Sequence, residues 1–261
     1  YGNQLTELNV EQNTNLTKLA CYDNQLTELN VEKNKALTYL HCANCGLTEL
    51  NVKNNTKLTL LYCYTNRLTE LDITKNTELT ELNCNSNYLT TLDLSKNTKL
   101  IKLSCQSNRL TSLDFSNIVS ENPNLTPYNN CYDIVPTSGT FDLTKLEQFG
   151  FKLGNVIDGT WTNGTVSGTT LTVNPGATEV TYNYDCGKGK SITFTLLVND
   201  SSTGVPIDSA HFPDEAFRTY LSGIGTDRNQ DGHLSAGEIS RIWTIDVSNT
   251  SSLTDLTGIE Y

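Results

Sequence analysis

The 261-residue chain is 36% hydrophobic and 18% charged, so it is long enough for more than one folded unit and too apolar to be disordered throughout. A net charge of −11 argues against nucleic acid as a partner, because phosphate binding needs basic stripes, and suits cations wherever carboxylates converge. No apolar run approaches the roughly 18 residues that cross a bilayer, so no membrane insertion is expected, and with no Met and no signal peptide the sequence reads as a processed or trimmed piece of a longer chain.

The first part repeats itself. Cys21, Cys42, Cys63, Cys84 and Cys105 are each 21 residues apart, inside a unit that reads Leu16-x-x-Leu19-x-Cys21-x-x-Asn24-x-Leu26-x-x-Leu29-x-Val31-x-x-Asn34. Such a period predicts a solenoid, since one coil cannot bury its own apolar stripe and must stack on the next. The unit is nearly doubled, so each coil should carry two short strands on opposite walls with Leu, Cys and Val inward. Asn24, Asn66, Asn87 and Asn108 form one inward column, broken by Cys45, and Asn13, Asn34, Asn55, Asn76 and Asn97 form the other. Their amides should be satisfied by backbone groups of the turns above and below. Coils stacked about 4.8 Å apart would allow disulfides on distance alone. Parallel Cβ directions in a ladder suit packing better, so these cysteines are expected to be reduced, buried hydrophobes. A straight column does not supply the closed tetrahedral set of a zinc site.

The two walls differ in chemistry. Outward positions of the first are Tyr22, Tyr39, His41, Leu60, Tyr62, Tyr64 and Tyr88, flanked by Lys18, Arg67, Lys102 and Arg109. Tyr and Arg dominate protein interface hot spots, and tyrosine rings also stack on sugars, so the wall suits a protein or a glycan ligand. Aromatics also populate strand surfaces that bind nothing. The second wall carries Glu7, Glu28, Glu49 and Glu70 beside Asn9, Asn30, Asn51, Asp72, Asp93 and Asp114, with Lys33, Lys53, Lys75 and Lys96 in the turns, and reads as a solvated face.

The LxxLxCxxNxL units match the leucine-rich-repeat signature, and the nested half-repeat resembles the 21-residue bacterial subclass of secreted, internalin-like adhesins over residues 1–115. The resemblance implies a mainly β chain with a solenoid of about five to six coils, on a secreted or cell-surface protein that binds a ligand. Register breaks after Phe115, the next Leu, Leu125, lies about four residues late, and Asn124–Ile134 reads as a degenerate last coil, so the solenoid is placed at residues 1–136.

Residues 137–200 show hairpin grammar. Alternating runs such as Glu179-Val-Thr-Tyr-Asn-Tyr and Ser191-Ile-Thr-Phe-Thr-Leu-Leu-Val are separated by turn signals such as Asn163-Gly164 and Asn174-Pro175-Gly176. A small antiparallel, sandwich-like domain is expected, with Trp161 in its core. It resembles the immunoglobulin-like modules that follow leucine-rich repeats in bacterial surface proteins. Asp200 opens a Ser/Thr/Gly linker.

Residues 201–261 hold the sharpest motif. Asp227, Asn229 and Asp231 stand at positions 1, 3 and 5 of a twelve-residue EF-hand loop, Gly232 at 6, His233 at 7 with its carbonyl, Ser235 at 9 and Glu238 at 12. Hard oxygen donors in this order point to Ca²⁺. A helix from Phe212-Pro-Asp-Glu should lead in and a short one from Glu238 should lead out. One loop without a paired hand suits a structural staple better than a sensor. The stretch 207–261 resembles the N-terminal cap of secreted bacterial leucine-rich-repeat proteins, here in reversed order, which suggests a piece of a tandem array. Its Leu253–Ile259 end resembles the start of a coil and could dock on the first coil of another molecule, giving head-to-tail association. His41, His211 and His233 lie in unrelated contexts, and no ordered Ser-His-Asp or Cys-His set is present, so binding rather than catalysis is expected. Two readings remain: an extracellular or cell-surface adhesion or interaction protein with one structural calcium site, and a carbohydrate-binding module of a secreted glycan-utilisation protein.

Overall fold

In the repeat region, the residues around each inward Leu, followed two residues on by Cys in all but the last coil, form one short strand per coil. These are β1 (Lys18–Ala20), β2 (Tyr39–His41), β3 (Leu60–Tyr62), β4 (Glu81–Asn83), β5 (Lys102–Ser104) and β6 (Asn124–Thr126). They make a single six-stranded parallel sheet in chain order. The computed structural model describes residues 1–120, 124–199, 204–223, 225–228, 231–239, 242, 245, 247 and 252–259. Register follows the repeat, Leu19 beside Leu40, Leu40 beside Leu61 and Leu61 beside Leu82. The last step pairs Leu103 with Leu125. Leu125 is thus the counterpart of Leu103, and the final coil is longer by one residue instead of four.

Leu37, Leu58, Leu79 and Leu100 and the cysteine column are buried, as the period requires. Cys21, Cys42, Cys45, Cys63, Cys84 and Cys105 are buried thiols. In the first asparagine column the side chain ties each coil to the one before it. Asn66 Nδ2 donates to the Cys42 carbonyl of the coil before, and its Oδ1 accepts from Cys45 N and Leu47 N. The second column donates in the same way, Asn55 Nδ2 to the carbonyls of Val31 and Asn34. Its oxygens differ: Oδ1 of Asn34, Asn55, Asn76 and Asn97 meets no donor among the described residues.

The expected second strand of each coil does not form. On that wall Asn9, Asn30, Asn51, Asp72, Asp93 and Asp114 each accept, through Oδ1, from the backbone N–H two residues on. This Asx-turn column bends the chain where a strand would run straight. The outward polar ladder of the second wall is therefore turn-forming as well as solvated.

The chain forms two compact units. The first holds Tyr1–Tyr132, Thr144–Thr160 and Tyr182–Thr195. Within it the end of the solenoid is covered by aromatics: Tyr182 is fully buried, its hydroxyl donates to the Thr111 carbonyl at 2.7 Å, and it packs edge-on against Phe151. Phe115 N donates to the Cys186 carbonyl at 2.7 Å.

The second unit holds Asp133–Leu143, Trp161–Thr181 and Leu196–Tyr261. The chain between residues 131 and 198 supplies β7 (Cys131–Ile134), β8 (Thr140–Asp142), β9 (Gly164–Ser167), β10 (Thr170–Val173), β11 (Glu179–Asp185) and β12 (Ser191–Val198). They form two three-stranded sheets, β8-β10-β9 and β11-β12-β7, with β10 antiparallel to both its neighbours. Gly164 in β9 leaves no room for a side chain, since a Cβ there would stand 2.9 Å from the Leu171 side chain. Trp161, expected in the core, is only half-buried.

Further along the same unit, β13 (Val205–Pro206) pairs antiparallel with β14 (His233–Leu234). Helix α1 (Glu215–Leu221) is capped by Asp214, which accepts from Phe217 N, and α2 (Ala236–Ile239) is a single turn. Phe212, Phe217, Leu221 and Leu234 form the core, with Ile245 and Leu253 packed on it. Gly258 lies against His211 and Phe212 at φ 98°, a left-handed conformation only glycine takes freely, and a Cβ there would collide with both. Among the described residues no helix is long and apolar enough to cross a membrane.

Candidate functional site

On the sheet face of the solenoid, the parallel register places His41 beside Tyr62 and Tyr39 beside Leu60. Positions one coil apart therefore fall into side-chain contact, and five of the expected wall residues close into one array. Tyr22 stacks on His41 with centroids 4.0 Å apart, and Tyr39, Tyr62 and Tyr64 surround the same imidazole at 6.3, 5.4 and 5.6 Å. Tyr39 also meets Tyr62 edge to face at 5.8 Å. The sequence reading missed Tyr1, which extends the stack onto Tyr22 at 4.5 Å with rings 6° from parallel. These rings are half-buried by one another, apart from exposed Tyr1.

Polar tips tie the array down. The Tyr39 hydroxyl lies 3.3 Å from His41 Nδ1 and the Tyr64 hydroxyl 3.3 Å from Nε2. A neutral imidazole has one donor and one acceptor nitrogen, so either tautomer satisfies both. Burial lowers the His41 pKa, partly opposed by Asp23, which keeps the ring neutral at physiological pH. Tyr62 donates to Glu81 Oε2 at 2.7 Å, and burial, aided by that carboxylate, pushes its hydroxyl up to about 12. Glu81 also pairs with Lys102 at 3.5 Å. It occupies the outward column that holds Tyr39 and Leu60, which is the sequence signal that would have found it.

Tyr88 belongs to a different column. Arg67, Tyr88 and Arg109 follow one another in successive coils, each N–H donating to the preceding coil at Leu47, Leu68 and Leu89. The Arg109 guanidinium is buried over the Tyr88 ring, 5.2 Å from its centroid, while Arg67 is exposed. The expected wall is thus an aromatic array beside an Arg–Tyr–Arg column.

The loop from Asp227 to Glu238 turns through Gly232, whose φ of 81° explains the glycine. Asn229 lies outside the described residues. Asp227, Ser235 and Glu238 are 2%, 4% and 1% exposed. Asp227 accepts from Asp231 N and Gly232 N through its two oxygens, at 3.2 and 3.0 Å. Glu238 Oε1 accepts from Arg228 N at 2.7 Å, and its Oε2 from Ser235 N at 2.9 Å. Asp231 Oδ1 accepts from His233 N, and the His233 ring sits outside, beside Asp231. Burial pushes the Asp227 pKa up, reinforced by the charges of Glu238 and Asp231. Among the described residues no three His, Cys, Asp or Glu side chains form a ready-made metal cage. The donors that do gather are carboxylate and hydroxyl oxygens, the chemistry of a hard divalent cation; Asp227 and Glu238 are both buried, and the charge of Asp227 is disfavoured there.

No family model matches the chain, and no curated protein matches it. Among solved structures, the functional domain of InlJ from Listeria monocytogenes, described as including a cysteine ladder, is 25% identical, with 75% of this chain and 60% of that one covered and a TM-score of 0.30. An internalin from the same organism is 28% identical, with 43% and 35% covered and a TM-score of 0.41. A leucine-rich-repeat protein from Leptospira interrogans is 24% identical, with 52% and 37% covered and a TM-score of 0.45. The chain spans between 35% and 60% of the length of these structures.

Proposed function

We propose that the protein is an extracellular or cell-surface interaction protein that binds another protein through the Tyr22–Tyr39–His41–Tyr62–Tyr64 face, with the Arg67–Tyr88–Arg109 column as its flank. The observation that carries the reading is the closed aromatic array itself. Six aromatic side chains gather on an outward face, where they contribute nothing to the solenoid core. Rigid tyrosines with polar tips supply contact area at low entropic cost, and Tyr and Arg are the residues that dominate interface energetics. A glycan remains the alternative ligand. Sugar stacking needs an open ring face, however, and Tyr22 has Tyr1 on one side and His41 on the other, which favours protein.

The test is a screen of arrayed extracellular protein domains in parallel with a glycan array, using the wild type and a Tyr22→Ala/Tyr62→Ala variant of unchanged unfolding midpoint. The expected result is a protein partner lost by the variant, at a cost of about 2 kcal/mol or more. Partner binding that survives the variant overturns the reading, and glycan binding that the variant loses replaces it with the alternative.

The second part of the reading is that the Asp227–Glu238 loop takes one structural Ca²⁺, with Asp227, Asn229, Asp231, Ser235, Glu238 and the His233 carbonyl as its oxygen donors. The motif spacing and the burial of Asp227 and Glu238 support it. Affinity on the order of 10⁻⁴ M or tighter is expected for an extracellular site, and calorimetry that registers no Ca²⁺ uptake ends the idea. Head-to-tail association would run through the exposed Leu256 and Ile259 of one molecule and Leu5 of another. A monomer by light scattering at all accessible concentrations would rule it out.

A further inference from the structure

Outside the twelve-residue loop, two side chains from distant parts of the second unit reach into its hydrogen bonding and close a ring. Arg228 Nε donates to Asp133 Oδ2 at 3.0 Å. Asp133 Oδ1 accepts from Asn199 Nδ2 at 3.2 Å. Asn199 Oδ1 accepts from Ser235 Oγ at 3.0 Å. Ser235 Oγ also lies 2.9 Å from Glu238 Oε2, and Glu238 Oε1 accepts from Arg228 N, which returns to the start. The ring is enclosed: Asn199 and Glu238 are each 1% exposed, and the Asp133 side chain is 4% exposed.

Two features of this ring bear on a cation. Arg228 follows Asp227 directly, so its guanidinium is the positive charge nearest the loop's carboxylates in sequence. Asp133 engages it from β7, outside the loop. A guanidinium left in the loop would pair with the carboxylates and repel any divalent ion, since unlike and like charges at close range in a buried site act strongly. The second feature is a shortage of protons. The Ser235 hydroxyl has one hydrogen and two acceptors in reach, Asn199 Oδ1 and Glu238 Oε2. With Asn199 taking that hydrogen and Glu238 N donating to one serine lone pair at 3.2 Å, the other serine lone pair and the glutamate oxygen stay available to a cation.

The geometry points to Asp133 and Asn199 as positioning residues of a divalent-cation site, Asp133 by drawing Arg228 away from the carboxylates and Asn199 by taking the Ser235 proton. This inference rests on the reading of the loop as a Ca²⁺ site. It extends that site to residues 28 or more positions away from it, which the loop motif alone does not contain.

The test uses the full chain and Ca²⁺ alone, titrated calorimetrically into the wild type, Asp133→Asn, Arg228→Gln and the double variant, with far-ultraviolet circular dichroism as the folding control. Asp133→Asn is isosteric and should weaken Ca²⁺ binding about tenfold, the scale on which outer-shell partners act. Arg228→Gln should bind at least as tightly as the wild type. The double variant should recover most of the affinity that Asp133→Asn loses, because the guanidinium that Asp133 draws away from the loop is gone. A purely architectural role for Asp133 would show no such rescue. Wild-type-like affinity in Asp133→Asn, or absence of rescue in the double variant, overturns the inference while leaving the calcium reading intact. A wild type that takes up no Ca²⁺ overturns both. Should Asp133→Asn fail to fold, Arg228→Gln decides alone, and weaker binding than wild type overturns the inference.

Discussion

Cys45 Sγ donates to the carbonyl of Cys21 at 3.2 Å, and one coil further on Asn66 Nδ2 donates to the carbonyl of Cys42 at 2.9 Å. Each bond spans 24 residues, so the thiol performs the donor half of an asparagine's task. The acceptor half is different. Asn66 Oδ1 receives the N–H groups of Cys45 and Leu47; of the matching groups, Asn24 N donates to the Asn44 carbonyl at 3.3 Å instead, and sulfur is a weak acceptor for that of Leu26. Cys45→Asn should therefore stabilise the chain by about 1 kcal/mol, the net worth of a buried hydrogen bond. Denaturant unfolding should show a higher midpoint with an unchanged slope. A lower midpoint would mean that the coil has adapted to sulfur and cannot take the amide.

A second column carries backbone strain. Asp23, Asn44, Thr65, Ser86, Ser107 and Asn129 all sit at φ between 50° and 55°, in the left-handed region. Asn and Asp tolerate that region, while a β-branched residue there is an outlier. Thr65 is exposed and at φ 54°, so nothing in the core requires it. Thr65→Asn should raise stability by about 0.5–1 kcal/mol, by relief of backbone strain. The same change at Thr48, which is exposed and lacks a positive φ, serves as the control. Equal effects at both positions would count against strain as the cause.

These two columns show what the sequence makes legible. A fixed period assigns every inward Leu, Cys and Asn to a column, and the register of Leu19, Leu40, Leu61 and Leu82 follows from it. The apolar pattern around Leu26, Leu29 and Val31 looks like that of the first wall, yet no strand forms there. Asn30 and its equivalents capture a backbone N–H two residues on, and this local bond outcompetes strand pairing. The array around His41 was legible as outward tyrosines, but its closure was not. Contact between Tyr22 and His41 depends on side-chain direction across coils, and Glu81 joins only through the hydroxyl of Tyr62.

Tyr62 gives the array a pH signature. Its hydroxyl is pushed from an ordinary value of 10.0 up to about 12, first by burial and then by Glu81. The folded state therefore holds this proton more tightly than the unfolded state. The stabilisation is fully present below pH 10 and is lost as pH rises through about 12. Wild type should lose stability more steeply across that window than Tyr62→Phe, which has no hydroxyl to ionise. The comparison between the two cancels the other tyrosines. Parallel pH–stability curves would mean that the bond to Glu81 does not favour the protonated phenol.

Asp227 should change the sign of its contribution with the cation. In chelator its buried carboxylate is disfavoured by desolvation and faces the charges of Glu238 and Asp231, while its oxygens accept from two backbone N–H groups. Asp227→Asn removes the charge and keeps a carbonyl able to accept one of those bonds. It should therefore be neutral to stabilising in chelator, by roughly 1 kcal/mol, because burying an imperfectly paired charge costs more than burying an amide. In saturating Ca²⁺ the order should reverse. A ligand bound only by the folded state adds about 2.7 kcal/mol at a hundred times its dissociation constant, and a variant without the carboxylate at position 1 forfeits most of that. Four denaturant midpoints, wild type and variant with chelator and with Ca²⁺, measure both effects. The prediction fails if the variant is the less stable protein in both media, which would make Asp227 an architectural residue, or if Ca²⁺ moves neither midpoint.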